Sequence, residues 1–450
     1  MKTKVSLIVL LAITIICLVS YFLHSTRETS GLENRSLMTF HMVIYPPPED
    51  SIIYKDTVSE RLEEALKDQI IGRDRFSLYY TAYTAFLDNL YTNGKRLCCN
   101  IIHCDRYDYR IESSALSLPF FPTRNYEYSK IGSLYRFGDS DYIFEGPNVK
   151  LPDTVQIAAH VAQIEHIHNL YPNIKFYSYF VRPLSSTKWF DGQLDFDTPN
   201  YFEEIAQSMP SYMKMGGLVY QDDEEYKRLF YKSDHHWNSN GYMRGYEDIY
   251  NMISNDLYLS DFKQPVKMWN FSELYGLQYR GSRAAKLQMF YDGWDEFIVP
   301  EYDLGDRKCY SIDLITGEEV PVTLCLWAAY KNGEMPRDKY RDHYIDFYYS
   351  AFDSSGKDYS NEHYLIRNTG SNTGHNLLFV TDSTGRAIRD VLASHFDSLI
   401  YLDYRNMSQV KVDEIIEKYN IDTILMSGLG AVWTGKKYNF HFTDGFGEEN

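Results

Sequence analysis

The sequence predicts an α/β fold with a parallel sheet, on two observations near its C-terminus and one in its middle. Leu377–Val380 (LLFV), Leu399–Leu402 (LIYL) and Ile421–Met426 (IDTILM) are apolar runs of strand length. Between them, Ile388, Val391, Leu392 and Phe396, then Val412, Ile415, Ile416 and Tyr419, recur at helical spacing. Strands joined by helical crossovers this short become parallel neighbours. Upstream, Val155, Ala158, Ala162, Ile167 and Leu170 mark a helix and Tyr171-Pro172-Asn173 a turn. Lys175–Val181 (KFYSYFV) then reads as a strand of the same sheet.

Composition bounds the rest. The chain has 450 residues, 44% hydrophobic and 24% charged, which supports a sizeable core. That length suggests roughly two to three structural units. Lys and Arg total 45 against 62 Asp and Glu, a net charge of −17. A large nucleic-acid footprint needs a basic face, so nucleic acid is not an expected partner. Tyrosine is abundant, 41 residues against 25 Phe, which fits either sugar-stacking platforms or an AT-rich coding sequence.

Val5–Leu23 is a run of 19 residues whose only clearly polar members are Ser6, Thr14 and Ser20. That is long enough to span ~30 Å of hydrocarbon. Lys2 and Lys4 precede it and favour a cytoplasmic N-terminus, with the bulk of the chain outside. No A-x-A signal follows, so an uncleaved anchor over residues 1–24 is expected, with a cleaved signal peptide as the alternative. Ile16 is too bulky for a lipoprotein site at Cys17. Residues 25–55, polar and then Pro-rich at Pro46-Pro47-Pro48, read as a linker with extended pieces. Residues 56–450 read as the α/β domain, with an irregular insertion at about 256–375 packing over the sheet edge. It opens with a helical stripe from Val58 to Ile70, stopped by Gly72, and a second from Phe76 to Leu90. Outside the apolar run are Cys98, Cys99, Cys104, Cys309 and Cys325, an odd number that forbids complete pairing within one chain. Cys98-Cys99 with His103 and Cys104 lacks CxxC spacing and reads as ordinary cysteines rather than a zinc site, while Cys309 and Cys325 could pair.

Two short segments could carry chemistry. In Ser233-Asp234-His235-His236-Trp237-Asn238 two histidines adjoin a carboxylate, just before a helical stripe from Tyr242 to Ile253 capped around Asn238–Asn240. Asp234 and His236 are two apart, so extended backbone projects them to one side. A carboxylate there fixes the imidazole's tautomer and stabilises its protonated form, as a general base requires. The other reading is a polar surface loop or a core histidine satisfied by the backbone. Thr381-Asp382-Ser383-Thr384-Gly385 lies between the LLFV strand and a helix, where a turn can raise a nucleophile over a parallel sheet near backbone N–H groups that stabilise an oxyanion. It reads equally as an N-cap. Gly138-Asp139-Ser140 spells a similar triplet between strand-like segments with no helix after it, and is set aside.

Over most of its length the sequence resembles the DHHW family of bacterial extracytoplasmic proteins, through Asp234-His235-His236-Trp237. Glu33-Asn34-Arg35-Ser36-Leu37 resembles the family's opening, and Asp68-Gln69-Ile70-Ile71-Gly72-Arg73-Asp74 its helix-ending signature. Asp382-Ser383 and Asp403-Tyr404-Arg405 complete the order. That family is similar to the alginate O-acetyltransferases and, more distantly, to SGNH hydrolases. The resemblance implies a three-layer α/β/α sandwich and a triad of Ser383 as nucleophile, His236 as base and Asp234, with His235 a neighbour. Trp237, His235, Asp382 and Arg405 are then expected near substrate or oxyanion. Thr381 departs from the family's glycine, and no Gly-x-Asn-Asp block follows the middle strand; Arg405 or Asn406 stands there.

The resemblance and the anchor together point to acyl transfer or ester hydrolysis on an exported or cell-wall glycan, with no cofactor. A membrane O-acyltransferase would then supply the acyl group. The alternatives are an inactive glycan-binding or assembly protein on the same fold and, less favoured, a metal site of Asp234, His235 and His236.

Overall fold

A computed structural model describes residues 29–30, 35–36, 38–46, 55, 57–69, 128–131, 134–137, 141–146, 152–190, 200–275, 278–279, 281–287, 293–324, 351–352, 354, 363–369, 373–404, 410–435 and 440–445. The chain divides into two compact units, residues 1–140 with 282–292 and residues 141–281 with 293–450.

In the first unit, helices Phe40–Ile44 and Val58–Asp68 share a small core of Met38, Val43 and Ala65. Thr57 and Glu60 form a reciprocal capping box at the start of the longer helix, satisfying two otherwise orphaned N–H groups. Asp68 accepts the Met38 N–H at 2.8 Å and Gln69 donates to the Met38 carbonyl at 3.1 Å, which ties the helix end to the preceding segment. The stripe expected from Phe76 to Leu90, the apolar run Val5–Leu23, Cys98, Cys99, Cys104 and the Gly138-Asp139-Ser140 triplet lie outside the described residues. Among the described residues no helix is long and apolar enough to cross a membrane.

The second unit is built on a mixed sheet of eight strands: β1 (Lys175–Phe180), β2 (Lys214–Gly217), β3 (Arg307–Ile312), β4 (Glu319–Pro321), β5 (His363–Asn368), β6 (Asn376–Thr381), β7 (Ser398–Asp403) and β8 (Thr423–Gly428). Their spatial order is β4-β3-β5-β7-β6-β8-β1-β2. The neighbours β7, β6, β8, β1 and β2 run parallel, and β5, β3 and β4 add antiparallel pairings. Besides a short helix at Phe271–Tyr275, the helices are α1 (Thr154–Leu170), α2 (Tyr201–Ser208), α3 (Asp223–Leu229), α4 (Ser239–Leu257), α5 (Arg386–Ala393), α6 (Val412–Tyr419) and α7 (Ala431–Thr434).

Alternation along each strand sorts its side chains between two faces. Phe176, Phe180, Leu378, Val380, Ile400, Leu402, Ile424 and Met426 face a core completed by α1, α2, α6 and α7. The intervening residues meet α4 and α5 on the other face, where Tyr177 and Tyr179 donate to Asp256 and Asp248 of α4, each at 2.8 Å. Residues buried this fully, such as Leu377, Leu378 and Phe379 of β6, contribute about 1.5–3 kcal/mol each.

The sheet differs from expectation at one edge. Three segments within residues 256–375, expected to pack over the edge, instead extend it as β3, β4 and β5. Their polar residues hide them from a pattern search, yet each finds a partner: Arg367 meets Glu319 at 2.9 Å, and Arg307 meets Asp390 at 3.4 Å. Cys309, on β3, is a free thiol, and Cys325 lies outside the described residues. From β6 the chain crosses by α5 to β7 on one side, then returns by α6 to β8 on the other. Beyond the carboxyl end of such a central strand the crossovers diverge and leave a crevice, where α/β sheets bind ligands.

Candidate active site

The site is assembled at the carboxyl end of β6. The chain leaves Thr381, passes Asp382 and forms one 3₁₀ turn, Ser383–Gly385, before α5. Asp382 caps that turn: one carboxylate oxygen accepts the Thr384 N–H at 2.8 Å and the Thr384 hydroxyl. Its other oxygen accepts the Leu429 N–H at 2.8 Å, just past β8. Gly428 adopts φ +148°, and a Cβ there would lie 2.7 Å from that oxygen. Behind the turn, Arg386 donates to the Tyr401 hydroxyl at 3.1 Å and lies 3.3 Å from Asp403. Burial pushes the Tyr401 phenol up to about 12, so it stays protonated.

The histidine loop closes at its base by an antiparallel bridge between Phe230 and Trp237. The Tyr231 N–H donates to the His236 carbonyl at 3.1 Å, and the Asn238 N–H to that of Leu229 at 2.9 Å. Asn238 then caps α4, accepting the N–H groups of Asn240 and Gly241 at 3.0 and 3.2 Å. The Trp237 indole is buried against Gly241 and Gly245, and its Nε1–H donates to the Thr384 carbonyl at 3.0 Å. Trp237 therefore couples the histidine loop directly to the serine turn.

Asp234 is fully buried, and its Oδ1 accepts from both the His236 backbone N–H, at 2.9 Å, and the His236 ring at Nδ1. With Nδ1 so engaged, Nε2 of the neutral ring is an acceptor, and it lies 2.8 Å from the Ser383 hydroxyl. These two residues are 147 positions apart in sequence. The His235 ring packs against His236 at a tilt of 39° with ring centres 4.0 Å apart, and its Nδ1 lies 3.6 Å from Asp234 Oδ1, beyond hydrogen-bond range. Arg405 and Asn406 lie outside the described residues. Asp234, His235 and His236 offer ligand atoms within 4.8 Å of one another. An ion there would compete with Asp234 for Nδ1 of His236 or with Ser383 for Nε2.

Around this group stand residues that the sequence does not mark. Asp295 accepts the Lys232 N–H and the Ser233 N–H, both at 2.9 Å, and the Ser233 hydroxyl at 2.5 Å. Burial raises the Asp295 carboxyl above its ordinary value, and these hydrogen bonds oppose the rise. Gly281 donates its N–H to Ser233 Oγ at 3.1 Å, and a Cβ on it would fall 2.2 Å from Asp234 Oδ2. Neither residue belongs to a motif, and both come from between strands distant in sequence.

Among solved structures, the chain is similar to Bacillus cereus PatB1, seen with a sulfonyl adduct, at 17% identity over 67% of this chain and 97% of that one (TM-score 0.49). It is similar to a DHHW family protein from Eubacterium siraeum at 12% identity, covering 69% of this chain and 94% of that one (TM-score 0.48). It is also similar to the O-acetyltransferase domain of Pseudomonas putida AlgJ at 8% identity, covering 67% of this chain and 92% of that one (TM-score 0.36). The structural neighbours thus include a DHHW protein and an O-acetyltransferase domain, the two groups that the sequence resembles. No family model and no curated protein matches the chain.

Proposed function

We propose that this chain is an extracytoplasmic acyl-transfer enzyme, an O-acetyltransferase or esterase acting on an exported or cell-wall polysaccharide through Ser383, His236 and Asp234. The observation that carries the reading is the position of His236, bonded to buried Asp234 through Nδ1 and 2.8 Å from the Ser383 hydroxyl through Nε2. Helices on both faces of the sheet support the three-layer arrangement that the resemblance implies.

In the proposed reaction Ser383 Oγ attacks an acyl carbonyl while His236 Nε2 takes its proton, and the new positive charge on the ring is balanced by Asp234. Asp234 is fully buried from bulk solvent, so its charge acts on the imidazolium at a dielectric lower than that of water. The Ser383 backbone N–H, at the start of the 3₁₀ turn, supplies one oxyanion donor, and Arg405, two residues beyond β7, is the second candidate. His236 then returns the proton to the leaving oxygen. A sugar hydroxyl or water, activated by the same imidazole, completes transfer or hydrolysis. Asp382 has both oxygens engaged by the turn and β8, so its part is to hold Ser383 rather than to meet substrate. The anchor Val5–Leu23 would keep the enzyme at the membrane, beside a membrane O-acyltransferase that delivers the acyl group.

The test is incubation of the purified chain with a chromogenic acetyl ester and a sulfonyl fluoride. Turnover and an adduct on the peptide carrying Ser383 are expected. Ser383→Ala and His236→Ala should each remove nearly all turnover, Asp234→Asn about as much or less, and Ser140→Ala little. A folded wild-type chain that forms no adduct and turns over no ester sinks the enzyme reading in favour of a glycan-binding protein.

A further inference from the structure

Asp234 can orient His236 only if the backbone that carries it is itself held. The Phe230–Trp237 bridge fixes the base of the loop whose tip runs from Ser233 to His235. The tip is held from outside. Asp295 pairs in an antiparallel bridge with Tyr279, with N–H to carbonyl distances of 3.1 and 2.8 Å, so its own position is fixed. From there its carboxylate grips two successive backbone donors, Lys232 N–H through Oδ1 and Ser233 N–H through Oδ2, and also takes the Ser233 hydroxyl. Charge-assisted bonds of this kind are about twice as strong as neutral ones. Ser233 is fully buried and passes the hold on to Gly281, whose backbone closes over Asp234.

We infer that Asp295 is a positioning residue for the proposed triad: with Ser233 and Gly281 it forms a clamp that aims the Asp234 carboxylate at Nδ1 of His236. This rests on the triad reading. Asp295 touches no reacting atom. The Lys232 amine, the charge beside it, is engaged by Asp141 at 2.5 Å.

The test compares wild type, Asp295→Asn and Ser233→Ala in the full chain, by two readouts. One is the low-field proton resonance of the Asp234–His236 bond, assigned by its loss in His236→Ala; it needs no substrate. The other is the rate of sulfonyl labelling at Ser383. The two backbone donors meet different oxygens of Asp295, so an amide there would turn its NH2 toward one of them, and Asp295→Asn should lose the resonance and slow labelling by about 10²-fold, as expected for displaced catalytic groups. The fold, followed by circular dichroism, should persist. Ser233→Ala removes only the hydroxyl link and should weaken the resonance and slow labelling by a smaller factor. A folded Asp295→Asn chain with wild-type resonance and labelling overturns the inference. Should that variant not fold, wild-type behaviour of Ser233→Ala overturns it instead. A wild-type chain that shows the resonance but never labels refutes the acyl-transfer reading and leaves the clamp standing.

Discussion

Thr381 stands where the resembled family places a glycine, and its side chain fits because Gly385, four residues on, has no Cβ. An added Cβ at 385 would fall 2.2 Å from Thr381 Oγ1, so the two positions share one space. Gly385→Ala alone should therefore cost about 1–3 kcal/mol by overpacking. Combining it with Thr381→Gly should recover much of that loss in urea unfolding, and simple additivity of the two would disprove the coupling. Gly281 meets the same constraint against Asp234, where nothing flexible yields. If the chain turns over esters as proposed, Gly281→Ala should lower that turnover by about 10²-fold while changing KM little, since it displaces Asp234 of the proposed triad without touching substrate. A variant with a raised KM and intact kcat would instead place Gly281 at the substrate.

Between elements, the junction of α4 and α5 is built on His395, just past the end of α5. Tyr246 of α4 accepts the Lys263 N–H at 3.0 Å, and its hydroxyl lies 2.8 Å from His395 Nε2. The Ser260 hydroxyl lies 3.0 Å from Nδ1, so both ring nitrogens are engaged. Burial, reinforced by the Lys263 charge, lowers the His395 value from 6.5 to about 4. Unfolded chain takes up the proton near 6.5 while the folded chain does not. The resulting stability is complete above pH 6.5 and is lost as the pH falls through the window down to about 4. The loss should be on the order of 3 kcal/mol. Urea unfolding across that window should show it in the wild type and a flatter profile in His395→Gln. Equal slopes would show that the histidine is not the group responsible. This junction also supports the site, because α4 follows its cap Asn238, next to Trp237, and α5 follows directly on the Ser383–Gly385 turn.

For the whole molecule, strand order decides where chemistry can occur. β6 has β7 on one side and β8 on the other, so its carboxyl end lies where the crossovers diverge and receives supports from both neighbours, Leu429 past β8 and Tyr401 on β7. An acidic chain of net charge −17 also disfavours nonspecific adhesion to anionic polymers, so under the proposed function a glycan would be recognised by local contacts rather than by long-range attraction. Under the proposed topology, protease added to intact cells should digest the chain down to its N-terminal segment. Full protection of the bulk would place it in the cytoplasm and end the extracytoplasmic reading.

Much of this architecture is legible in sequence because it is locally encoded. The runs LLFV and LIYL, and IDTILM from Ile424 on, are buried on both faces and therefore largely apolar, and the helices between them carry their stripes at the spacing of one face. The Asp234, His236 and Trp237 cluster and the Ser383 turn were also visible, since residues two apart on extended backbone, or at the start of a helix, are arranged by the chain itself. What the sequence could not determine was anything that depends on where a distant edge or backbone arrives. β3 and β5 carry arginine, histidine and lysine and show no clean alternation; they become strands only because β7 presents an open edge. Asp295, Gly281 and the Thr381–Gly385 fit act through contacts between segments far apart or through a missing atom, neither of which leaves a pattern along the chain. Residue type and spacing thus specified the reactive groups, whereas only the packed sheet could decide the distance between His236 and Ser383, because distance across a fold is a property of all the elements between them.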